Sequence, residues 1–301
     1  MRITNNIMSR AQFDGLSAAM AALDKAQSQV TSGKRLQVAS DDPTAAMQVM
    51  NSDSALRALD QYRTNVQMAS SRVSTEDSVL QQIGDLVTRA KELAVSQATG
   101  TANSQTRSVA NAEVQQLFAQ AIDLGNTKFG NEYMFGGDQS QTAPFASSGS
   151  GATLSFTSTN PQGTRSVAIG DGELIAASLD GKSLLLDSGV LDAMKALSAA
   201  LDPSSPTYGQ AGIADAATKL DDAFQGVQSL VGDVGARGKQ LDTTQQNLDA
   251  YKTNLTTFKS DLQDVDIEQA VTELTQRQMA YQAAMLATTK VMGLTLTDYL
   301  K

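Results

Sequence analysis

A few short segments carry side chains whose types and spacing are suited to chemistry. Gly181-Lys182-Ser183 matches the end of a phosphate-binding loop, where backbone amides cradle phosphates and the lysine reaches them. That loop requires a glycine five residues earlier, and the position holds Ala176, so the segment reads as a hairpin turn instead. Asp261, Asp264 and Asp266 are clustered acids of the kind that hold a hard cation, but no glycine-containing twelve-residue loop surrounds them. They read as a solvated face of a long helix. Asp41-Asp42 and Asp221-Asp222 are adjacent carboxylates suited to acid/base work. The first pair precedes Pro43 at a helix start, where the macrodipole favours acids and capping accounts for them, and the second reads as helix surface. The chain has 0 Cys and 0 His, which removes thiolate and imidazole catalysis and every metal site built on those ligands. The expectation is no catalytic, metal-binding or cofactor-binding residue, no cofactor, no small-molecule substrate and no enzymatic activity.

Charge narrows the partners. With 32 acidic against 23 basic residues the net charge is -9, which repels phosphate backbones and anionic lipid surfaces; neither nucleic acid nor membrane is expected as a partner. Apolar runs are too short to span a bilayer, and residues 1–25 lack the apolar core of a secretory signal. The chain therefore either stays inside the cell or leaves by a route that reads no such signal. The absence of cysteine suits a chain that crosses unfolded into an oxidising space.

The elements that position these residues are helical. At 301 residues the chain is long enough for about two domains. Heptad spacing from Leu59 passes through Tyr62, Val66, Ala69, Val73, Glu76, Leu80, Ile83, Val87, Ala90 and Ala94, apolar or aromatic throughout except at Glu76. The same spacing runs from Ile213 through Leu220, Val227, Val234, Arg237, Leu241, Thr244, Leu248, Tyr251, Leu255, Phe258 and Leu262 to Val265. Only Arg237 and Thr244 break it. A third stripe, Val114, Leu117, Ala121 and Leu124, predicts a helix over 103–128. At ~1.5 Å per residue the late helix would match the two earlier ones laid end to end, giving a rod whose seam includes Leu59, Val66, Val73, Leu80, Val87, Leu241, Leu248, Tyr251, Leu255, Phe258 and Leu262.

Between 133 and 189 the period changes. Leu154, Phe156, Val167, Ile169, Leu174 and Leu179, set among Gly, Ser and Thr, predict short strands with turns near 160–163, 171–172 and 180–181. A short helix through Val190, Met194, Leu197 and Leu201 leads back to the rod. Phe13, Leu16, Met20, Leu23 and Val30 at one end, and Val271, Leu274, Tyr281 and Met285 at the other, again carry helical spacing. These terminal helices have no partner within the rod, so they pair with each other or with other copies. Met20, Met285 and Met292 lie on apolar faces, as core filling or as an adaptable partner surface. The fold class is mainly α: a long antiparallel coiled-coil-like helical rod built from both ends of the chain, with a small β-rich insertion. Its parts are an N-terminal helix and linker (1–45), rod halves (46–132 and 190–265), the β-rich outer insertion (133–189) and a C-terminal helix (266–301).

Four segments in order carry a family likeness: "MRITNNIMSRAQ" at the start, "SGKRLQVASDDPTAAM" at 32–47, "GNEYMFGGDQSQTAPF" at 130–145 and "YQAAMLATTKVMGLTLTDYL" at 281–300. Together they resemble the bacterial flagellar hook-associated protein 3 family, the hook–filament junction proteins, and more distantly flagellin. The resemblance implies a structural adaptor joining hook to filament, with a minor flagellin as the alternative. It implies export through the flagellar type III apparatus and an extracellular place at the junction. The implied partners are copies of itself in a ring-like assembly, the first hook-associated junction protein, flagellin and a flagellar export chaperone. Subunit contacts would then fall on Ile3, Ile7, Leu16, Met20, Leu23 and Val30 at one end. At the other they would fall on Tyr281, Met285, Met292, Leu296, Tyr299 and Leu300. These ends would be mobile in the monomer and order on assembly, where neighbours repay ~1–2 kcal/mol of ordering cost per residue.

Overall fold

The computed structural model describes residues 2–99, 102–159, 161–164, 166–176 and 178–299, and the side chains of 7, 10–99, 102–159, 161–164, 166–176 and 178–290. Among the described residues there are six α-helices, α1 (Arg2–Ser32), α2 (Pro43–Gln97), α3 (Ser104–Gly125), α4 (Val190–Leu201), α5 (Gln210–Gln263) and α6 (Ile267–Tyr299), and six short strands. The strands form three separate antiparallel hairpins. These are β1 (Lys128–Phe129) with β2 (Glu132–Tyr133), β3 (Phe145–Ser148) with β4 (Ser155–Ser158), and β5 (Ser166–Ala168) with β6 (Leu174–Ala176). The mainly helical chain with a small strand-containing insertion is the expected class, and α1 and α6 pack together.

Local signals place the helix ends. Gly33, at φ +68°, closes α1 in the left-handed conformation that glycine adopts without cost, and its amide donates to the Gln29 carbonyl at 2.9 Å. Asp42 Oδ1 accepts from the Ala45 amide at 3.0 Å, capping α2 with Pro43 in the first helical position. Asn103 and Thr106 close a reciprocal capping box on α3. The end of α3 needs glycine for a different reason: a Cβ on Gly125 would lie 2.5 Å from Leu185 Cδ1 and 2.9 Å from Phe145 Cδ2. The next residue, Asn126, ties β3 to the helix end, accepting from the Phe145 amide at 3.1 Å and donating to its carbonyl at 2.8 Å.

The chain divides into two compact units, one of Met1–Ala58 with Tyr251–Lys301 and one of Leu59–Ala250. In the Leu59–Ala250 unit, Leu59, Val66, Val73, Leu80, Val87 and Leu241 are buried, as are Ile213, Leu220, Val227 and Val234 across the seam. Leu248 is half-buried against them. Each fully buried aliphatic side chain here contributes about 1.5–3 kcal/mol. Besides Leu80 and Ile83 on the seam, the largest buried side chains of the unit are Phe118 on α3, Met134, Phe135 and Phe145 in the hairpin region, Leu184 and Leu185, and Leu191, Met194, Leu197 and Leu201 on α4. The hairpins thus help to close a core with α3 and α4.

In the other unit the seam positions behave differently. Tyr251 and Phe258 are exposed, at 55% and 46%, and Leu255 is half-buried. A strict heptad drifts about 20° per repeat around a straight α-helix, which turns one position of each late repeat, Tyr251 and Phe258, outward while the other, Leu255 and Leu262, stays half-buried. Leu262 does pack, against Leu36, Ala45 and Val49, and Lys259 Nζ reaches Asp53 Oδ1 at 2.6 Å. Residues 180–185 also depart from expectation. Instead of a hairpin turn, Lys182–Asp187 form a π-helical turn that buries Leu184 and Leu185. The Ser183 amide donates to Asp180 Oδ1 at 2.9 Å, which starts a helix rather than a strand.

Candidate assembly interface

The loop after α1 is fastened to the break between α5 and α6. Lys34 and Asp264 form an isolated antiparallel bridge. The amides of Arg35 and Leu36 donate to the Gln263 carbonyl at 2.8 and 3.3 Å, and the Val265 amide donates to the Gly33 carbonyl at 3.0 Å. The Arg35 guanidinium adds a bond to the Leu262 carbonyl at 2.7 Å. Asp41 then folds the loop back: Oδ1 pairs with Lys25 Nζ at 2.6 Å, and Oδ2 accepts from the Gln37 and Val38 amides at 3.2 and 3.3 Å. The lysine, followed by the two amides, holds the Asp41 carboxyl below its ordinary pKa. The adjacent carboxylates Asp41 and Asp42 are thus occupied by a loop clasp and a helix cap.

Several of the other acids have structural partners too. Asp266 Oδ1 caps α6 through the Glu268 amide at 2.9 Å, and Asp264 Oδ2 accepts from Ser260 Oγ at 2.5 Å. Asp264 and Asp266 therefore lie at the break after Gln263 rather than on the long helix, because the Asp266 cap starts a new one. Asp221 pairs with Lys91, and Asp222 is exposed on α5. Lys182 pairs with Asp187 at 3.2 Å, and the Gly181 amide donates to the Phe135 carbonyl at 3.0 Å.

Along the paired terminal helices, one set of apolar side chains turns inward and another outward. Leu16, Leu23 and Val30 of α1 and Leu274 and Tyr281 of α6 are half-buried, and Ala26 and Ala270 are buried. Ile7, Phe13 and Met20 on α1, and Val271, Met279, Met285 and Leu286 on α6, are exposed, with Ile7 at 63% and Leu286 at 65%. Of the expected contact residues, Leu300 and the side chains of Ile3, Met292, Leu296 and Tyr299 lie outside the described residues. Large apolar groups exposed along one helix pair offer apolar area for a protein–protein contact. No helix among the described residues is long and apolar enough to cross a membrane.

The seam also holds a charged site that spacing alone does not reveal. Glu76, the exception in the α2 repeat, is fully buried. Its Oε1 accepts from the Leu179 amide at 2.9 Å, and its Oε2 lies 3.6 Å from the guanidinium of Arg237, the charged one of the two exceptions in the α5 repeat. One turn earlier on α2, buried Arg72 donates to the Met134 carbonyl at 3.1 Å and sits 5.7 Å from the Phe129 ring centroid. Burial raises the Glu76 pKa, opposed in turn by the Leu179 amide, Arg237 and Arg72.

Comparison with known proteins places this architecture. The profile of the bacterial flagellin N-terminal helical region matches residues 3–140, and that of the flagellin C-terminal helical region matches 217–300. The chain belongs to the bacterial flagellin family. Within the family it is similar to flagellar hook-associated protein 3 of Escherichia coli, at 28% identity over 98% of both chains, and to that of Salmonella typhimurium, at 26% over 98% of both. The fold is also that of a putative flagellar hook-associated protein from Vibrio parahaemolyticus. That structure has a TM-score of 0.66 at 20% identity, covering 74% of this chain and 100% of the other. The two flagellin matches fall on the two ends of the chain, α1–α3 and α5–α6, and leave most of the hairpin region between them unmatched.

Proposed function

We propose that this chain is a non-enzymatic structural adaptor of the bacterial flagellum that joins hook to filament. The observation that carries the reading is the set of apolar side chains left exposed on the paired terminal helices, Ile7, Phe13 and Met20 on α1 and Met279, Met285 and Leu286 on α6. It supports assembly by burial against neighbouring axial subunits, with no chemistry required. End-to-end similarity to hook-associated protein 3 supports the junction as the place of assembly.

On this reading the partners are copies of the chain in a ring, the first hook-associated junction protein and flagellin, with an export chaperone before secretion through the flagellar type III apparatus. The terminal segments 1–45 and 266–301 make the axial contacts, including Ile3, Met292, Leu296, Tyr299 and Leu300. The seam through 46–132 and 190–265 supports them, and 133–189 forms the outer part. A minor flagellin is the second reading, favoured by the flagellin profiles at both ends. Deleting the gene separates the two. Bare hooks with flagellin shed into the medium mark a junction adaptor, and intact hooks carrying junction proteins but lacking filament subunits mark a flagellin. Unaffected flagella would refute both.

A further inference from the structure

Heptad seams have a weakness: helices that repeat every seven residues also match after sliding by seven. In the Leu59–Ala250 unit the pairing of α2 and α5 can be read off particular neighbours. A Cβ on Gly238 would lie 3.7 Å from Val73 Cγ1, one on Gly84 would lie 3.9 Å from Val227 Cγ1, and Lys91 pairs with Asp221. Only in this antiparallel register do the two charged exceptions, Glu76 and Arg237, meet. Sliding α5 by one heptad one way would set Leu230 opposite Glu76 and Ala69 opposite Arg237. Sliding it the other way would set Thr244 and Ile83 there. Each slip would bury a carboxylate and a guanidinium without their partner, which is far more costly than leaving the pair intact.

We infer that Glu76 and Arg237 form a register key, which selects one pairing of α2 and α5 and, through the Leu179 amide on Glu76, seats the segment after β6 on that pairing. The key penalises the slipped alternatives rather than adding stability to the native one, because a buried ion pair gains little over a packed apolar pair. The groups that face Glu76 fit the role: Arg237 from α5, Arg72 from α2 itself and a backbone amide from the 178–181 segment.

The chain has 0 Cys, so engineered thiol pairs can report register in the full-length protein. Val73→Cys with Gly238→Cys reads the native pairing, and Val73→Cys with Val231→Cys or Leu80→Cys with Gly238→Cys reads the slipped ones. With the key intact, only the native pair should oxidise during refolding. With Glu76→Leu and Arg237→Leu, the slipped pairs should rise at least about tenfold. Slipped cross-links that stay at the level of the intact key would overturn the inference. Should the leucine variant fail to fold, the exchange Glu76→Arg with Arg237→Glu is compared with Glu76→Arg alone. The single change should raise slipped cross-linking and the exchange should suppress it again, and equal yields in the two would overturn the key.

Discussion

The seam changes character near residue 250, and truncating one residue on each side measures that change. Leu80 is 0% exposed on α2, whereas Tyr251 is 55% exposed on α5. Leu80→Ala removes about three methylene equivalents, which at about 0.8 kcal/mol each is a loss of roughly 2.4 kcal/mol of transfer free energy. The cavity left among packed neighbours raises the total to about 3–5 kcal/mol. Tyr251→Ala removes a larger side chain, yet more than half of it already faces water, so the cost should stay under about 1 kcal/mol. Urea unfolding followed by circular dichroism reads both, provided the slope m is unchanged so that the midpoint shift reports stability. A Tyr251→Ala cost equal to that of Leu80→Ala would mean that heptad packing continues into the last turns of α5, and the drift argument would fail. A cost under about 1 kcal/mol for Leu80→Ala would remove the seam itself from the core.

Further outcomes follow from single contacts. Gly125→Ala should destabilise by about 1–3 kcal/mol, because its Cβ would meet Leu185 and Phe145 inside a filled core; thermal unfolding checks it. Asp42→Ala should cost about 1 kcal/mol through loss of the α2 cap, and Asp42→Asn should recover most of it. The pH dependence has two opposite signs. Asp41, lowered first by Lys25, and Asp202, lowered first by Ser204, contribute stability that is present above about pH 4 and lost as pH falls through their depressed values. Glu76 is raised by burial, so its contribution is present at low pH and lost as pH rises from about 4 through its raised value. The stability difference between the native chain and Glu76→Gln should therefore move in favour of the variant between pH 4 and 7. Movement towards the native chain would contradict the sign.

Much of the fold is legible in the residues because the signals are local. Pro43 after Asp42 and Asn103 before Thr106 mark helix starts through caps that act within three residues, and the stripe from Leu59 to Ala94 marks a buried face wherever its partner lies. Other features depend on distances that no single segment contains. Glu76 and Arg237 each read as a flaw in a repeat; that two flaws 161 positions apart form one ion pair depends on the register of two helices. The available signal is one charge in each repeat, of opposite sign, at a position that should be apolar. Tyr251 and Phe258 keep perfect spacing and are nevertheless exposed, since spacing counts residues while packing follows the rotation of a helix of 3.6 residues per turn. At Lys182 the glycine and aspartate before it suggest a turn, but burial of Leu184 and Leu185 winds the segment into a helix instead. The acids at Asp264 and Asp266 looked like one solvated face because the cap that starts α6 is itself one of them.

The apolar surface of the terminal helices is the central claim, and complementation tests it most directly. A strain lacking the gene is supplied with Met20→Asp together with Met285→Asp, both at exposed positions, and its flagella are imaged by electron microscopy while the purified variant is melted. The account predicts an unchanged melting temperature, bare hooks and flagellin shed into the medium. Normal filaments on that variant would show that the surface does not carry assembly.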